Sequence, residues 1–217
     1  MRTESHEDSY LALPEGAGPH PGVLVVHEAS GLNDNIRDIC RRFADQDYAA
    51  FAVDLFDGRN RAVCMARMFV GAMAGNLEHF GVPALKAALG RLADHPEVDP
   101  DRIGAIGFCL GGSIVLTWGC TDNRLKAIAP YYGMAPRPRA AIRRLCPVVG
   151  SWPDKDITTK AAGILETELT AAGVPHDIKV YPGTKHAFFN DTRPEVYDRQ
   201  AAQQSWDRTV AFFRAHL

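Results

Sequence analysis

Short apolar runs, rich in β-branched residues, recur along the chain and alternate with longer amphipathic stretches. A continuous apolar run of strand length is typical of a strand that is covered on both faces. Six runs have this character: Val23–His27, Ala49–Val53, Arg102–Phe108, Leu125–Tyr131, Pro147–Trp152 and Ile178–Tyr181. Tyr10–Leu13 is a candidate for a further strand at the N-terminal edge. The pattern predicts a central sheet with both faces buried.

The stretches between these runs have apolar residues at helical spacing. After Asn33, which suits an N-cap, apolar side chains recur at i, i+3, i+4 and i+7. The same spacing predicts helices around Leu85–Leu92, Ala161–Ala172 and Trp206–Leu217. Such alternation predicts a mostly parallel α/β sheet with right-handed crossovers and helices on both faces.

In two segments the apolar residues have no clear helical or strand spacing. Arg59–Asn76 could form one helix lying over a site, and Ala135–Ala140 has the composition of a surface loop. No repeat or linker divides the 217 residues, so we expect a single domain spanning residues 1–217. In open α/β sheets the ligand lies beyond the carboxyl ends of the strands, where the loops converge.

Composition narrows the possible functions. The chain has 24 basic and 26 acidic residues and a formal net charge of −2, so no strong field favours nucleic acid or an anionic membrane. No apolar run could cross a bilayer, and Met1–Tyr10 has no signal-peptide core. The five cysteines include no Cys-x-x-Cys pair, which favours a reducing cytoplasm and argues against a thiolate metal site.

The strongest chemical motif is Gly107-Phe108-Cys109-Leu110-Gly111-Gly112, which follows a predicted strand and opens a predicted helix. A nucleophile on such a turn needs small residues two positions to either side, and the helix N-terminus behind it favours a thiolate or an oxyanion. A glycine-rich packing turn around a buried cysteine is the alternative. The spacing of Gly104, Gly107 and Gly111 does not make a dinucleotide-binding fingerprint.

A nucleophile of this type requires a base and an acid that orients it, in the order nucleophile, acid, histidine. His186 follows the last predicted strand, whereas His176 precedes that strand and His216 is near the C-terminus. Asp154 and Asp156 both follow the preceding strand, and the spacing alone does not choose between them.

A second polar segment, His27-Glu28-Ala29, leaves the strand that begins at Val23 and precedes a helix. This loop is the usual source of a second oxyanion donor. Glu28 should then lie at the same sheet edge as Cys109, although His27 and Glu28 could instead simply brace the loop. The segment is not a His-Glu-x-x-His zinc motif.

Taken together, these motifs resemble the dienelactone hydrolase family, a thiol branch of the α/β-hydrolases. The resemblance extends from about Gly22 to the C-terminus and also includes Tyr131-Tyr132-Gly133, Gly150–Thr158 and Tyr181-Pro182-Gly183 through His186-Ala187-Phe188. It implies an α/β-hydrolase fold and a cofactor-free enzyme that cleaves a small ester or lactone through a thioester acyl-enzyme.

The resemblance also implies a role for each site residue. Cys109 is expected to be the nucleophile, His186 the base, Asp156 rather than Asp154 the orienting acid, and Glu28 the group that activates the thiol. The oxyanion hole is expected from the backbone N–H groups of Leu110 and Ala29, and substrate contacts from Tyr131, Phe188 and Asn190.

The sequence departs from the family at a position that contacts the substrate. Family members that act on dienelactone have an arginine four residues after the histidine, where this chain has Asn190. Arg193 or one of Arg59, Arg61 and Arg67 could substitute for it. An acyltransferase with the same machinery, or a non-catalytic ligand-binding protein with the same fold, is the alternative to a hydrolase.

Overall fold

A computed structural model describes residues 1–217. One eight-stranded sheet has the order β1-β2-β4-β3-β5-β6-β7-β8. The first two strands are antiparallel to their neighbours and all other pairs are parallel. The strands are β1 Arg2–Ser5, β2 Ser9–Leu13, β3 His20–Val26, β4 Ala49–Val53, β5 Val98–Phe108, β6 Ala127–Tyr131, β7 Val148–Lys155 and β8 His176–Lys185.

Six α-helices cover the sheet on its two faces. They are α1 Asp34–Ala44, α2 Arg61–Met73, α3 Val82–Ala93, α4 Leu110–Gly119, α5 Lys160–Ala172 and α6 Arg199–His216. Helices α1 and α6 contribute to one buried cluster, while α2 to α5 contribute to the other. Short 3₁₀ turns lie at Arg139–Arg144 and Ile157–Thr159. No helix has both the length and the apolar character that a membrane crossing requires.

Each central strand supplies both cores because its side chains alternate between the two faces. In β3, Leu24 and Val26 pack into the cluster beneath α3 and α4. Val23 and Val25 point to the opposite cluster, beneath α1 and α6. This two-sided burial accounts for the continuous apolar runs in the sequence and confirms the predicted sheet.

The structure extends some predicted elements and adds one. Strand β5 begins at Val98, and β7 and β8 continue to Lys155 and Lys185. Strand β1 was not predicted because all four of its residues are exposed. The segment Arg59–Asn76, in which the apolar residues show no clear pattern, contains α2. The predicted surface loop at 135–140 runs into a 3₁₀ turn that buries Ala141 and Ile142.

The strand register brings the functional loops to one edge of the sheet. Val26 of β3 lies opposite Gly107 of β5, and Phe108 lies opposite Tyr131 of β6. Tyr131 in turn lies opposite Ser151 of β7. The residues that follow these strands therefore start at the same level, at the carboxyl edge where α/β sheets place their ligands.

Candidate active site

Cys109 occupies a strained turn between β5 and α4. Its backbone has φ 55° and ψ −111°, in the region that residues other than glycine rarely adopt. A Cβ at Gly107 would overlap the carbonyl of Gly111, and a Cβ at Gly111 would overlap the carbonyl oxygen of Val26. The two glycines therefore allow the tight approach that presents the partly exposed Cys109 above the sheet.

Hydrogen bonds hold this turn and leave two donors free. The N–H of Cys109 donates to the carbonyl of Tyr131 across 3.0 Å, and the Ser113 hydroxyl donates to the carbonyl of Cys109 across 3.2 Å. The N–H groups of Leu110, at the start of α4, and of Ala29 have no acceptor within the protein. Unpaired backbone N–H groups are suited to a developing oxyanion, and that of Leu110 also lies at a helix N-terminus.

His186 and Asp156 form an ion pair beside the turn. His186 follows β8 and Asp156 follows β7, and the ring Nδ1 hydrogen-bonds to the Asp156 carboxylate. Burial of Asp156 acts to raise its pKa, but the bonds from His186 and from the Thr158 hydroxyl outweigh this and lower the pKa. Asp154 is exposed and instead accepts the N–H of Gly183 across 2.8 Å.

The imidazole is strongly biased toward its charged form. Burial of the ring acts to lower the pKa of His186, but the interactions with Cys109 and Asp156 outweigh it and raise the pKa from 6.5 to about 9. The cysteine and the aspartate thus act on the same ring from two sides. Such a ring can hold a proton beside a thiolate at neutral pH.

The Glu28 carboxylate is buried and held by two donors from distant segments. The Tyr132 hydroxyl donates to Oε1 across 3.3 Å, and the Asn190 amide donates to Oε2 across 3.2 Å. His27 does not face the site. Its Nδ1 donates to the carbonyl of Glu28, and its Nε2 accepts the N–H of Leu55 across 2.9 Å. His27 therefore braces the loop, while the Glu28 side chain lines the cleft.

Tyr132 connects several members of the site. Its ring centroid lies 4.9 Å from that of His186. Burial raises the pKa of Tyr132 well above its ordinary value, and the neighbouring Glu28 and Cys109 raise it further. The hydroxyl therefore stays protonated and can only donate to the carboxylate. Sequence reasoning missed Tyr132 and Thr158, although both lie within the matched motifs.

Two of the three expected substrate contacts need correction. Tyr131 and Phe188 have no exposed area and lie in the core beneath α6, so neither lines the cleft. The Tyr131 hydroxyl is already paired with Thr209 of α6 at 2.9 Å. Asn190 does line the cleft, but its amide donates to Glu28 and its carbonyl accepts from Thr192. Both ends of Asn190 are therefore occupied within the protein.

The cleft above these residues has a volume of about 510 Å³ and is lined by polar groups. Its walls are formed by Glu28, Ala29, Ser30, Asn33, Cys109, His186, Ala187, Asn190, Thr192 and Arg193. Arg193 is the only guanidinium among them, and it donates to Glu195 across 2.9 Å. Arg59, Arg61 and Arg67 lie over the rings of Phe80 and Phe56 and do not line the cleft.

Known proteins resemble this chain along nearly its whole length. The model of the dienelactone hydrolase family matches residues 8–217. "Protein usf" of Aquifex pyrophilus is 32% identical over 96% of this chain and 93% of its own. "Putative carboxymethylenebutenolidase" of Yersinia pestis is 31% identical over 96% of this chain and 83% of its own.

Solved structures confirm the predicted α/β-hydrolase fold. A dienelactone hydrolase-like promiscuous phosphotriesterase from metagenomic libraries superposes with a TM-score of 0.81 at 27% identity, over 96% of this chain and 92% of that chain. The family match, the relatives and the fold agree with the motifs around Cys109 and His186. The chain belongs to the dienelactone hydrolase family.

Proposed function

We propose that the protein hydrolyses a small ester or lactone with Cys109 as the nucleophile. The observation that carries the proposal is the meeting of a strained, partly exposed cysteine with a His186–Asp156 ion pair in one cleft. A packing turn around a buried cysteine has no need of an oriented imidazole. The names of the relatives, carboxymethylenebutenolidase and dienelactone hydrolase, point to the same class of reaction.

Acylation begins with attack of the Cys109 thiolate on the carbonyl carbon. The carbonyl electron pair moves to oxygen, where the N–H groups of Leu110 and Ala29 stabilise the charge. The tetrahedral intermediate then collapses, and the carbon–oxygen bond to the alcohol breaks. The departing alkoxide takes the proton from the His186 imidazolium and leaves a thioester on Cys109.

Deacylation reverses these roles with water. Neutral His186 takes a proton from water, which attacks the thioester carbonyl, and the same two N–H groups hold the oxyanion. Collapse releases the carboxylic acid and returns the thiolate beside the imidazolium. Asp156 keeps the ring in the tautomer that presents Nε2 to the reaction and stabilises the charge that it acquires.

Glu28 is assigned the removal of the thiol proton when substrate binds. The proton stays on the Glu28 carboxyl during the reaction and returns to the Cys109 thiolate after the acid has left. Two donors, Tyr132 and Asn190, keep its carboxylate in a fixed position in the cleft that also contains Cys109. A free cysteine is only a few per cent ionised at neutral pH, so a nearby base increases the fraction of active nucleophile.

The cleft favours a neutral substrate. A carboxylate-bearing lactone requires a cationic partner, preferably a bidentate guanidinium. Asn190 is neutral and its amide already donates to Glu28, while Nε of the Arg193 guanidinium donates to Glu195. Short neutral esters or lactones should therefore be turned over at least as well as acids of the dienelactone type.

We also place the protein in the cytoplasm. All five cysteines are free thiols, and the mechanism requires Cys109 in its reduced form. A reducing compartment maintains that state.

The test is a screen of small esters and lactones with the purified protein, with identification of the products. Free acid and alcohol are expected, and transfer to added alcohols or amines at the expense of water would indicate an acyltransferase. A carboxylated lactone and its methyl ester form a matched pair. A preference of 100-fold or more for the acid, weakening with salt, would contradict the neutral substrate.

A further inference from the structure

A second pocket, distinct from the polar cleft, lies between α2 and α4. It has a volume of about 100 Å³, and eight of its 13 lining residues are hydrophobic. Leu110 forms part of its wall and directly follows Cys109. The residue whose N–H is assigned to the oxyanion hole therefore also contributes its side chain to an apolar pocket.

Large apolar side chains are exposed around this pocket. Phe69 and Met73 of α2 are 59% and 44% exposed, and Met134, on the opposite wall, is 47% exposed. Isolated exposed apolar residues are ordinary, but a group that lines one concavity marks a binding surface. Two other lining residues associate this surface with the reaction: Leu110 directly follows the nucleophile, and the Ser113 hydroxyl donates to the carbonyl of Cys109 across 3.2 Å.

The apolar pocket contains one unpartnered hydrogen-bond acceptor. His79 lines the pocket and is only 4% exposed. Its Nδ1 donates to the carbonyl of Phe80 across 2.9 Å, which leaves Nε2 as an acceptor in the neutral ring. Nε2 has no partner in the protein. It is accessible to a ligand, because the fully buried side-chain nitrogen and oxygen atoms without a hydrogen-bond partner belong only to His20 and Arg37. An acceptor in an apolar pocket is suited to a ligand hydroxyl or N–H group.

The two sides of the nucleophile suit different parts of an ester. In the proposed mechanism the alcohol takes its proton from His186, which lines the polar cleft. The alcohol therefore leaves on the His186 side, and the acyl group extends from the carbonyl on the other side. Leu110, which follows the nucleophile, lines the apolar pocket and not the cleft that contains His186.

We propose that the pocket between α2 and α4 binds the acyl chain of the substrate and that His79 Nε2 accepts a hydrogen bond from a hydroxyl or N–H group on that chain. The substrate class is thus an ester or lactone of a medium-length acid with a polar donor distal to the carbonyl. This inference rests on the proposed esterase function and specifies its substrate.

Chain length provides the first test. The kcat/KM of wild-type enzyme is measured with p-nitrophenyl acetate, butyrate, hexanoate and octanoate. Each methylene that enters the pocket should raise kcat/KM by roughly fourfold, until the pocket is full. Acetate is too short to reach the pocket and reports the basal reaction.

Filling the pocket provides the second test. Ala72→Trp places an indole in the pocket, whereas Ala66→Trp places it on an exposed face of the same helix outside the pocket. Ala72→Trp should abolish the gain with chain length, so that the octanoate-to-acetate ratio of kcat/KM falls to about one. Ala66→Trp should retain the wild-type profile.

The polar acceptor is tested with isosteric substrates. ω-Hydroxyhexanoate and heptanoate esters differ by a hydroxyl in place of a methyl group, as do ω-hydroxyoctanoate and nonanoate. His79→Asn can retain the donor to Phe80 but loses the distal acceptor, whereas His79→Gln retains an acceptor near the Nε2 position. His79→Asn should lower the hydroxyl-to-methyl ratio of kcat/KM by roughly 2- to 12-fold, the contribution of one neutral hydrogen bond.

The outcomes separate the two proposals. If wild-type enzyme does not hydrolyse the acetate ester, the esterase function itself fails. If acetate is hydrolysed but chain length and Ala72→Trp have no effect, the acyl pocket is overturned while the esterase function stands. A hydroxyl-to-methyl ratio that falls with His79→Gln but not with His79→Asn would show that His79 serves only to hold Phe80.

Discussion

The Asn190 amide donates to the Glu28 carboxylate, with 3.2 Å between Nδ2 and Oε2. These residues are 162 positions apart, and the bond links the loop after β3 to the segment after β8. Where dienelactone-cleaving relatives are expected to use an arginine for the substrate, this chain uses a neutral amide to position its own glutamate. In the proposed mechanism, this bond would connect the residue at the arginine position to the base that activates the nucleophile.

Glu28→Gln should slow acylation, because the amide retains the shape of the side chain but cannot accept the thiol proton. We expect kcat/KM to fall with little change in substrate binding. Tyr132→Phe is the matched control, since it removes one donor to Glu28 and retains the carboxylate. It should have a smaller effect. The measurement is kcat and KM across neutral and mildly alkaline pH, and a Glu28→Gln variant that matches wild type throughout would reduce Glu28 to a structural brace.

The two aspartates after β7 form a paired test of the orienting acid. Asp156→Asn replaces the carboxylate that accepts from His186 Nδ1 with a neutral amide, which favours the wrong tautomer, and should lower kcat by about 10⁴, as in serine triads. Asp154→Asn affects only the bond from the Gly183 N–H and should change kcat little. Steady-state kinetics of both variants decides between them, and the reverse pattern would exclude Asp156.

The ionisation of His186 should depend on Cys109. Since the interactions with Cys109 and Asp156 raise its pKa to about 9, an NMR titration of the wild-type ring should have its midpoint near that value. In Cys109→Ala the midpoint should move down, because one of the two raising interactions is lost. A wild-type midpoint near the ordinary value of 6.5 would contradict the ion pair.

The same shift predicts how stability depends on pH. The folded state binds the His186 proton more tightly than the unfolded state, so the interaction stabilises fully below about pH 6.5 and is lost as pH rises through about 9. The difference in unfolding free energy between wild type and His186→Gln, measured in urea, should therefore shrink across this interval.

The central sheet could be predicted from sequence because its strands are buried on both faces and leave continuous apolar runs. Strand β1 could not, since Arg2–Ser5 are all exposed and have no apolar signal. Helix α2 was ambiguous for a related reason: Val63, Phe69 and Val70 are apolar but exposed, so no single stripe marks its buried side.

The site was only partly predictable. Motifs identified residues that follow strand ends, but they did not specify which side chain turns toward the cleft. Tyr131 is the last residue of β6, and its side chain is buried in the core. Tyr132 has φ 39°, so it departs from the strand conformation, and its hydroxyl reaches Glu28. The Asn190–Glu28 bond depends on packing between distant loops and leaves no local pattern in the sequence.

The nucleophile turn should tolerate no side chain at Gly111. Gly111→Ala forces a Cβ against the backbone carbonyl of Val26, which cannot rotate away, and should destabilise by at least ~1–3 kcal/mol. Gly163 in α5 has open space around its Cβ position, so Gly163→Ala should stabilise by roughly 0.5–1 kcal/mol. Urea unfolding of both variants measures the contrast, and equal effects would contradict the close contact.

The most direct test of the cysteine mechanism is to trap the acyl-enzyme. Enzyme mixed with a slowly deacylating p-nitrophenyl ester is quenched in acid, digested and analysed by mass spectrometry. The account predicts one acyl group on the peptide containing Cys109, released by hydroxylamine, and neither adduct nor turnover in Cys109→Ala. An acyl group on another residue, or full turnover by the alanine variant, would contradict it.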